Sequence, residues 1–199
     1  MPGRRTARSL VKSIGHAVAS AFVAWYRAES RLIGADRAFE SVSQALSLLP
    51  DRPGVAIRQS FFGRVLPRCG ATSRISFGTR LTKKNAEIGE HVFIGADCDL
   101  GWVIIEDDVL IGSGVQVLSG RHQHRFDDPA LPIRLQGGRF SPIRVGQDTW
   151  IGSGAIVMAD VGRHAVVAAG AVVVSPVEDG TIVAGNPAVP VGRRPAARV

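Results

Sequence analysis

His122 and His124 stand two residues apart in a polar stretch from Ser119 to Ile143, SGRHQHRFDDPALPIRLQGGRFSPI, that separates two regular apolar segments. An imidazole with an ordinary pKa near 6.5 can take up a proton at neutral pH. A hydroxyl, whose own pKa lies far higher, attacks an ester-like carbon poorly unless such a base removes its proton, and a positioned base contributes roughly 10²–10⁴-fold in rate. Two residues apart in an extended segment, both rings share one side. With Asp127 and Asp128 close behind, the group is also a candidate for holding a metal ion. Excursions of this length inside a compact array are usually functional or disordered.

The elements that must position this stretch announce themselves by a period. Aliphatic residues recur every six positions around it: Ile88, Ile94, Leu100; Ile105, Ile111, Val117; Val145, Ile151, Val157; and Val161, Val167, Val173. The following residue is glycine at seven of these sites, Gly89, Gly95, Gly101, Gly112, Gly146, Gly152 and Gly162. Neither a helix nor a hairpin sheet repeats every six residues, whereas a parallel β-helix does. Three hexapeptides make one triangular coil, and coils stack at the strand spacing of about 4.8 Å. Each coil buries only its neighbours, so both ends need caps. Ile75 to Leu81 reads as one irregular step before the regular repeats, and two steps are short, Leu100 to Ile105 and Val157 to Val161. On this ruler His122 and Trp150 fall on neighbouring coils. Asp97 and Asp99 belong to a coil close to His122, where either carboxylate could accept a hydrogen bond from a ligand or where both simply face water.

Ahead of the repeats, Leu10, Ile14, Val18, Phe22 and Trp25 recur three or four apart and predict a helix with one apolar face. Arg37 to Leu49 predicts a second helix, with Asp36 as N-cap, Pro50 as terminator and Phe39, Val42, Ala45, Leu46 and Leu49 as its stripe. Pro53 and Gly54 read as the turn out of the helices, and strand-like sequence begins near Phe61. The chain therefore divides into an N-terminal helical segment (1–60), a β-helix domain (61–184) with the inserted loop 119–143, and a C-terminal tail (185–199). The helices and the tail are candidate caps. The helices are expected to pack on the β-helix or on a neighbouring subunit, with peripheral membrane association through the N-terminal helix as the alternative.

Composition agrees with a folded, soluble domain. Of 199 residues, 45% are hydrophobic and 21% charged, while the 23 glycines and 6% aromatic residues suit a core of small aliphatic layers. The formal net charge is +7, yet no helix-turn-helix, zinc-finger or basic-aromatic pattern accompanies it, so nucleic acid is not expected as a partner. Many cations sit near the ends (Arg4, Arg5, Arg8, Lys12, Arg193, Arg194, Arg198), where they would attract a phosphorylated cofactor or an anionic membrane. Cys69 and Cys98 form neither a disulfide framework nor a zinc motif and read as buried thiols of a reducing compartment, which points to the cytoplasm. No span is long enough to cross a bilayer, and the apolar stretch Ile14–Trp25 reads as an amphipathic helix rather than a secretory signal.

The hexapeptides, the loop opening SGRH (Ser119–His122), the segment DTWIGSGAIV (Asp148–Val157) and the closing AGNPA (Ala184–Ala188), in this order, resemble the hexapeptide-repeat acyltransferases. The likeness is to the branch of galactoside, maltose and xenobiotic O-acetyltransferases and covers about Phe61 to Pro187. It implies a left-handed parallel β-helix, an exception to the right-handed crossover rule. It implies a homotrimer with active sites between subunits, and direct transfer of an acetyl group from acetyl-CoA to an acceptor hydroxyl. His122 falls at the family's catalytic histidine, eleven residues after Ile111. Trp150 falls beside the reactive thioester, and Ser153 and Ala169 against the pantetheine arm. Ser175 stands where the family usually has a Thr-Lys pair near the CoA end, and Val189 where it often carries a basic residue. Arg193 and Arg194, a few residues on, become the candidates for the CoA phosphates. On the acceptor side the candidates are Asp97, Asp99 and His124, and Gln136, Arg139 and Phe140 could shape the same pocket.

Other readings fit less well. A γ-class carbonic anhydrase, a β-helix metalloenzyme, needs a third histidine and a spaced histidine pair on a coil; His91 and His164 lack that spacing, so no metal is expected. The longer helical domain and histidine-proline catalytic segment of serine acetyltransferase are absent. No G-x-G-x-x-G opens the chain, as the extra domain of many sugar N-acyltransferases would suggest. A non-catalytic scaffold would need neither His122 on a long polar excursion nor Trp150 on the next coil.

Overall fold

The computed structural model describes residues 3–195, and the side chains of 15–50 and 52–195. Three helices come first: α1 (Gly3–Ile33), α2 (Ala35–Ser47) and α3 (Asp51–Val65). Short strands then wind a left-handed parallel β-helix with three faces. Face A stacks β1 (Arg68–Cys69), β4 (Glu87–Ile88), β7 (Val103–Ile105) and β10 (Ile143–Val145). Face B stacks β2 (Arg74–Ile75), β5 (Phe93–Ile94), β8 (Leu110–Ile111), β11 (Trp150–Ile151), β13 (Val166–Val167), β15 (Thr181–Ala184) and β16 (Val189–Arg193). Face C stacks β3 (Arg80–Leu81), β6 (Asp99–Leu100), β9 (Gln116–Val117), β12 (Ile156–Val157) and β14 (Val172–Val173).

The six-residue ladder is the core. Ile88, Ile94, Leu100, Ile111, Val145, Ile151, Val157 and Val167 are all 0% exposed, and burying each such side chain stabilises the fold by about 1.5–3 kcal/mol. Register keeps like above like: Ile75, Ile94, Ile111, Ile151, Val167 and Val183 form one column on face B. The array also starts one coil before the regular repeats, with Cys69, Ile75 and Leu81 already six apart. Burial pushes the Cys69 thiol up to about 12, Glu90 adding to the effect. The step from Val157 to Val161 is so short that face A of that coil shrinks to single parallel bridges, Val145 to Val161 and Val161 to Val177.

Corners need left-handed backbone. His91, Asp97, Asp108, Asp148 and His164 have φ between 54 and 61°, a conformation that Asp and His tolerate better than most residues. This accounts for His91 and His164: each occupies a corner between faces A and B and meets an aspartate of the adjacent coil, Asp108 at 3.3 Å and Asp148 at 3.0 Å.

The helices depart from expectation in three respects. First, the stretch around Pro53–Gly54 is helix α3, not a turn, and the chain stays helical through Phe61 to Val65. Pro50 is the N-cap of that helix rather than a terminator of α2. Pro53 lies in the first turn, where its missing N–H costs nothing. Gly54 is there because a Cβ would stand 2.5 Å from the Leu49 carbonyl oxygen. Second, α2 is capped by Gly34 at φ 89°, leaving Asp36 inside its first turn, where a carboxylate still favours the helix N-terminus. Third, α1 packs through Gly15, Ala19 and Val23, with Phe22 of the expected face and Tyr26 partly buried against the core, while Val18 and Trp25 of that face are exposed. The side chains of Leu10 and Ile14, and those of Arg4, Arg5, Arg8 and Lys12, lie outside the described residues, as does Arg198.

Both ends of the solenoid are capped as an open array requires. At the lower end Phe39, Phe61 and Phe62, all 0% exposed, form an aromatic cluster with Tyr26. The wholly buried Arg58 guanidinium ties this layer to the first coil. Its Nε donates to the Ile75 carbonyl (2.9 Å), and its Nη1 donates to those of Leu46 (2.9 Å) and Leu49 (3.0 Å). The Ser43 hydroxyl accepts the Leu81 N–H at 2.9 Å and the Ser47 carbonyl accepts that of Gly78 at 2.9 Å, closing the lowest edge. At the upper end β16 turns back antiparallel on β15.

Candidate active site

The polar stretch leaves the solenoid at the corner between faces C and A, after β9 and before β10. It folds back on itself: the N–H groups of Ser141, Arg139 and Arg125 donate across the two arms to the carbonyls of Ser119 (3.0 Å), His122 (2.7 Å) and Gly137 (2.9 Å). Ser119, 4% exposed, anchors the base, its hydroxyl accepting the Trp102 N–H at 2.8 Å. The tip is braced by Gln136, whose side chain accepts from the Asp128 N–H (3.1 Å) and donates to the carbonyls of Asp128 and Leu131 (both 2.8 Å). Gln136 therefore holds the loop's shape, and Phe140 lies under the Lys83 ammonium, 4.8 Å from the ring centroid, along the same corner. His122 and His124 are exposed on the outgoing arm. Next to them Arg125 and Asp127 pair with each other at 2.6 Å, and each shifts its partner toward the charged form through that hydrogen bond.

The candidate residues fall into three groups. Trp150 points outward from face B and is 53% exposed, so Ile151, not Trp150, anchors the coil. Beside it, the corner between faces B and C stacks Ala96, Ser113, Ser153 and Ala169, with Asp97 in line with the glycines, through backbone bonds: Gly114 N–H to Ala96 (2.8 Å), Gly154 N–H to Ser113 (2.9 Å) and Gly170 N–H to Ser153 (2.9 Å). Gly114, Gly154 and Gly170 turn these corners at φ 69–71°. A Cβ at Gly154 or Gly170 would meet nothing within 4 Å, so the corner is an open backbone track. Ser113 and these glycines were not among the sequence candidates, although the Ser-Gly pairs after β8 and β11 and the Ala-Gly pair after β13 were their signal. The second group is at the corner between faces C and A, where Ser175 is exposed above the loop. The third is at the corner between faces A and B. There Arg194 donates to the Asp148 carbonyl (2.9 Å) and meets its carboxylate (2.8 Å), while Arg193 donates to the Asp179 carbonyl (2.9 Å). Within one chain, His122 and the Trp150 track thus occupy different corners of the triangle.

Asp97 and Asp99 line a groove of about 590 Å³ between α2 and face C, with Gln44, Arg80 and Gln116. Asp99 pairs with Arg80 at 2.7 Å, directly across the β3–β6 register. Arg80 was also missed; its position 19 residues before Asp99 becomes meaningful only once coil length is known. Among the described residues no group of three or more His, Cys, Asp or Glu side chains could hold a metal ion.

The Asp148 carboxyl is held below the usual aspartate range, first by its hydrogen bond from His164 and then by the Arg194 charge. A carboxylate with a depressed folded pKa stabilises above its unfolded pKa, near 3.9, and that contribution disappears as pH falls through the folded value. We expect Asp148→Asn to lower the melting temperature at pH 7 and to make stability less dependent on pH below about 4. Thermal melts of both proteins between these pH values check it; parallel curves would contradict it.

The comparisons with known proteins concern the solenoid. The repeat described as bacterial transferase hexapeptide (six repeats) matches residues 85–119, and the hexapeptide repeat of succinyl-transferase matches residues 142–175. A probable acetyltransferase of Mycobacterium tuberculosis is 34% identical over 120 residues, 58% of this chain and 39% of that protein. Nodulation protein L of Rhizobium meliloti is 42% identical over 81 residues, 39% of this chain and 42% of that protein. The chain therefore spans about two-fifths of the length of these curated relatives. Among solved structures, a hexapeptide-repeat-containing acetyltransferase from Vibrio cholerae superposes with a TM-score of 0.68 at 25% identity, covering 81% of this chain and 93% of that one.

Proposed function

We propose that this chain, a member of the hexapeptide-repeat acyltransferase family, moves an acetyl group from acetyl-CoA to a hydroxyl of a sugar-like or natural-product acceptor, with His122 as general base. The acceptor oxygen attacks the thioester carbonyl carbon while the His122 imidazole takes its proton. The C–S bond then breaks, and the imidazolium returns the proton to the departing thiolate. Holding both substrates together removes much of the remaining barrier. The open track at the corner between faces B and C, flanked by Trp150, suits an extended pantetheine arm, with Ser153 and Ala169 beside it. Asp97, Asp99 and His124 are assigned to the acceptor. Arg193 and Arg194 are assigned to the CoA phosphates, which would compete with Asp148 and the Asp179 carbonyl for them. We place the reaction in the cytoplasm, where acyl-CoA thioesters are made.

The observation that carries this reading is the separation of His122 from the Trp150 track, because a second copy of the chain can close the gap. The outward residues of face B supply the contact. Phe93, Leu110, Trp150, Val166 and Ile182 stand in register as an apolar ladder, the first three 38%, 46% and 53% exposed. Sealing such a stripe between subunits favours association, and a homotrimer would bring the C–A corner of one copy to the B–C corner of the next. We expect Leu110→Glu to reduce the mass measured by light scattering to that of a single chain and to abolish turnover with it; an active monomer would contradict the between-subunit site.

Purified protein with acetyl-CoA and a panel of hydroxyl acceptors tests the reaction, read as release of free thiol. Thiol release that depends on one class of acceptor supports it. Folded, oligomeric protein that releases none with any acceptor would favour a scaffold instead.

A further inference from the structure

We propose that the outer face of α1 docks on an anionic lipid surface. At 100° per residue, Ala17, Val18, Ala21, Ala24, Trp25, Ala28 and Leu32 lie on one side of the helix, and all are exposed, Val18 at 37%, Trp25 at 42% and Leu32 at 84%. The helix spends its other side, Gly15, Ala19 and Val23, on α3 and α2. Gly15 allows the close approach, since a Cβ there would stand 3.2 Å from that of Ala56. That inner side also seats Phe22 and Tyr26, partly buried against the core, so the outward Val18, Trp25 and Leu32 make a second apolar face beyond the one the fold uses.

Charge identifies what the outer face meets. Ten of the 24 basic residues but only four of the 17 acidic ones lie in residues 1–67, so the helical layer carries nearly all the net charge of +7. The cations border the stripe. Arg27 and Arg31 are exposed along one edge of it. Arg64 of α3 reaches the same edge, donating to the Ser20 hydroxyl at 2.8 Å and the His16 carbonyl at 3.3 Å. An apolar stripe with a tryptophan, edged by arginines, matches the acyl boundary and headgroups of an anionic leaflet. Among the described residues no helix is long and apolar enough to cross a membrane, so the contact is made along the surface.

Co-flotation of the full chain with vesicles tests this, using phosphatidylcholine alone and phosphatidylcholine with about one-third phosphatidylglycerol. We expect recovery with the anionic vesicles only, falling several-fold when salt is raised to about 0.5 M. Trp25→Glu with Leu32→Glu should lower recovery about tenfold, and Arg27→Ser with Arg31→Ser should weaken it at low salt. These side chains are exposed, so circular dichroism melts should match those of the unaltered protein. Equal recovery with neutral vesicles, or undiminished recovery of the Trp25/Leu32 variant, would overturn the proposal. A smaller particle mass for that variant would also overturn it, by making the stripe an interface between copies.

Discussion

His122→Ala is expected to lower turnover by about a hundredfold or more, equivalent to about 2.7 kcal/mol of lost transition-state stabilisation. The side chain is exposed on the outgoing arm of the loop, and the arms are held by backbone bonds, including the His122 carbonyl to the Arg139 N–H at 2.7 Å. Alanine keeps those bonds, so the loop and the oligomer should survive and light scattering should not change. On the proposed assignment the loss should fall on kcat, with KM for acetyl-CoA little altered, because Trp150, Ser153 and Ala169 stand at another corner of the coil. His124→Ala is the control: assigned to the acceptor, it should change KM for the acceptor and leave most of kcat. Unchanged turnover in His122→Ala would remove the general base from this reading while leaving the fold and the donor track as they are.

Arg58→Met should destabilise the protein by about 3 kcal/mol or more, since each buried acceptor left without a donor costs about 1–3 kcal/mol. The carbonyls of Leu49, at the end of α2, and Ile75, in the first coil, lose their donor, and that of Leu46 keeps only the Leu49 N–H at 3.2 Å. Methionine fills similar volume, so packing alone does not explain the loss. At about 2–4 °C per kcal/mol for a chain of this size, the melting temperature should fall by about 6–12 °C. Because coils support one another mainly as neighbours, hydrogen exchange should accelerate first in α2, α3 and the lowest coil. Uniform protection throughout, with an unaltered melting temperature, would show that the helical layer is held by its aromatic cluster alone. Gly54→Ala should act at the same junction, because its Cβ would stand 2.8 Å from Nη1 of Arg58.

The solenoid was legible because its period is local. Every residue of the ladder from Ile88 to Val173 that six-residue spacing selects is in the core column. Of the first coil only the step Ile75 to Leu81 was legible; its opening escaped notice because a cysteine stands at Cys69 and Pro67 precedes it. Helix α3 was hidden by Pro53–Gly54, a pair that punctuates most sequences; here the proline falls in a first turn and the glycine at a close approach to Leu49. Helix α1 was found with its expected face only partly inward, Phe22 packing on the core while Val18 and Trp25 are exposed. Periodicity shows that an apolar face exists, but which face packs depends on whether the opposing surface needs a close approach, and α3 takes the small side at Gly15.

By itself the sequence determined the scaffold, the place of the interruption and the identity of the residues able to do chemistry, since each of these is written within a few neighbouring positions. Tertiary structure alone decided their grouping. Asp97, Ser153 and Ala169 share one corner although up to 72 residues separate them, while His122, much nearer to Ser153 in sequence, is at another. Stacking coils adds a register that depends on the length of every intervening turn, and shortened steps such as that at Val161 shift it. For the same reason Arg80 meets Asp99, Arg194 meets Asp148, and a single chain holds His122 apart from the open track beside Trp150.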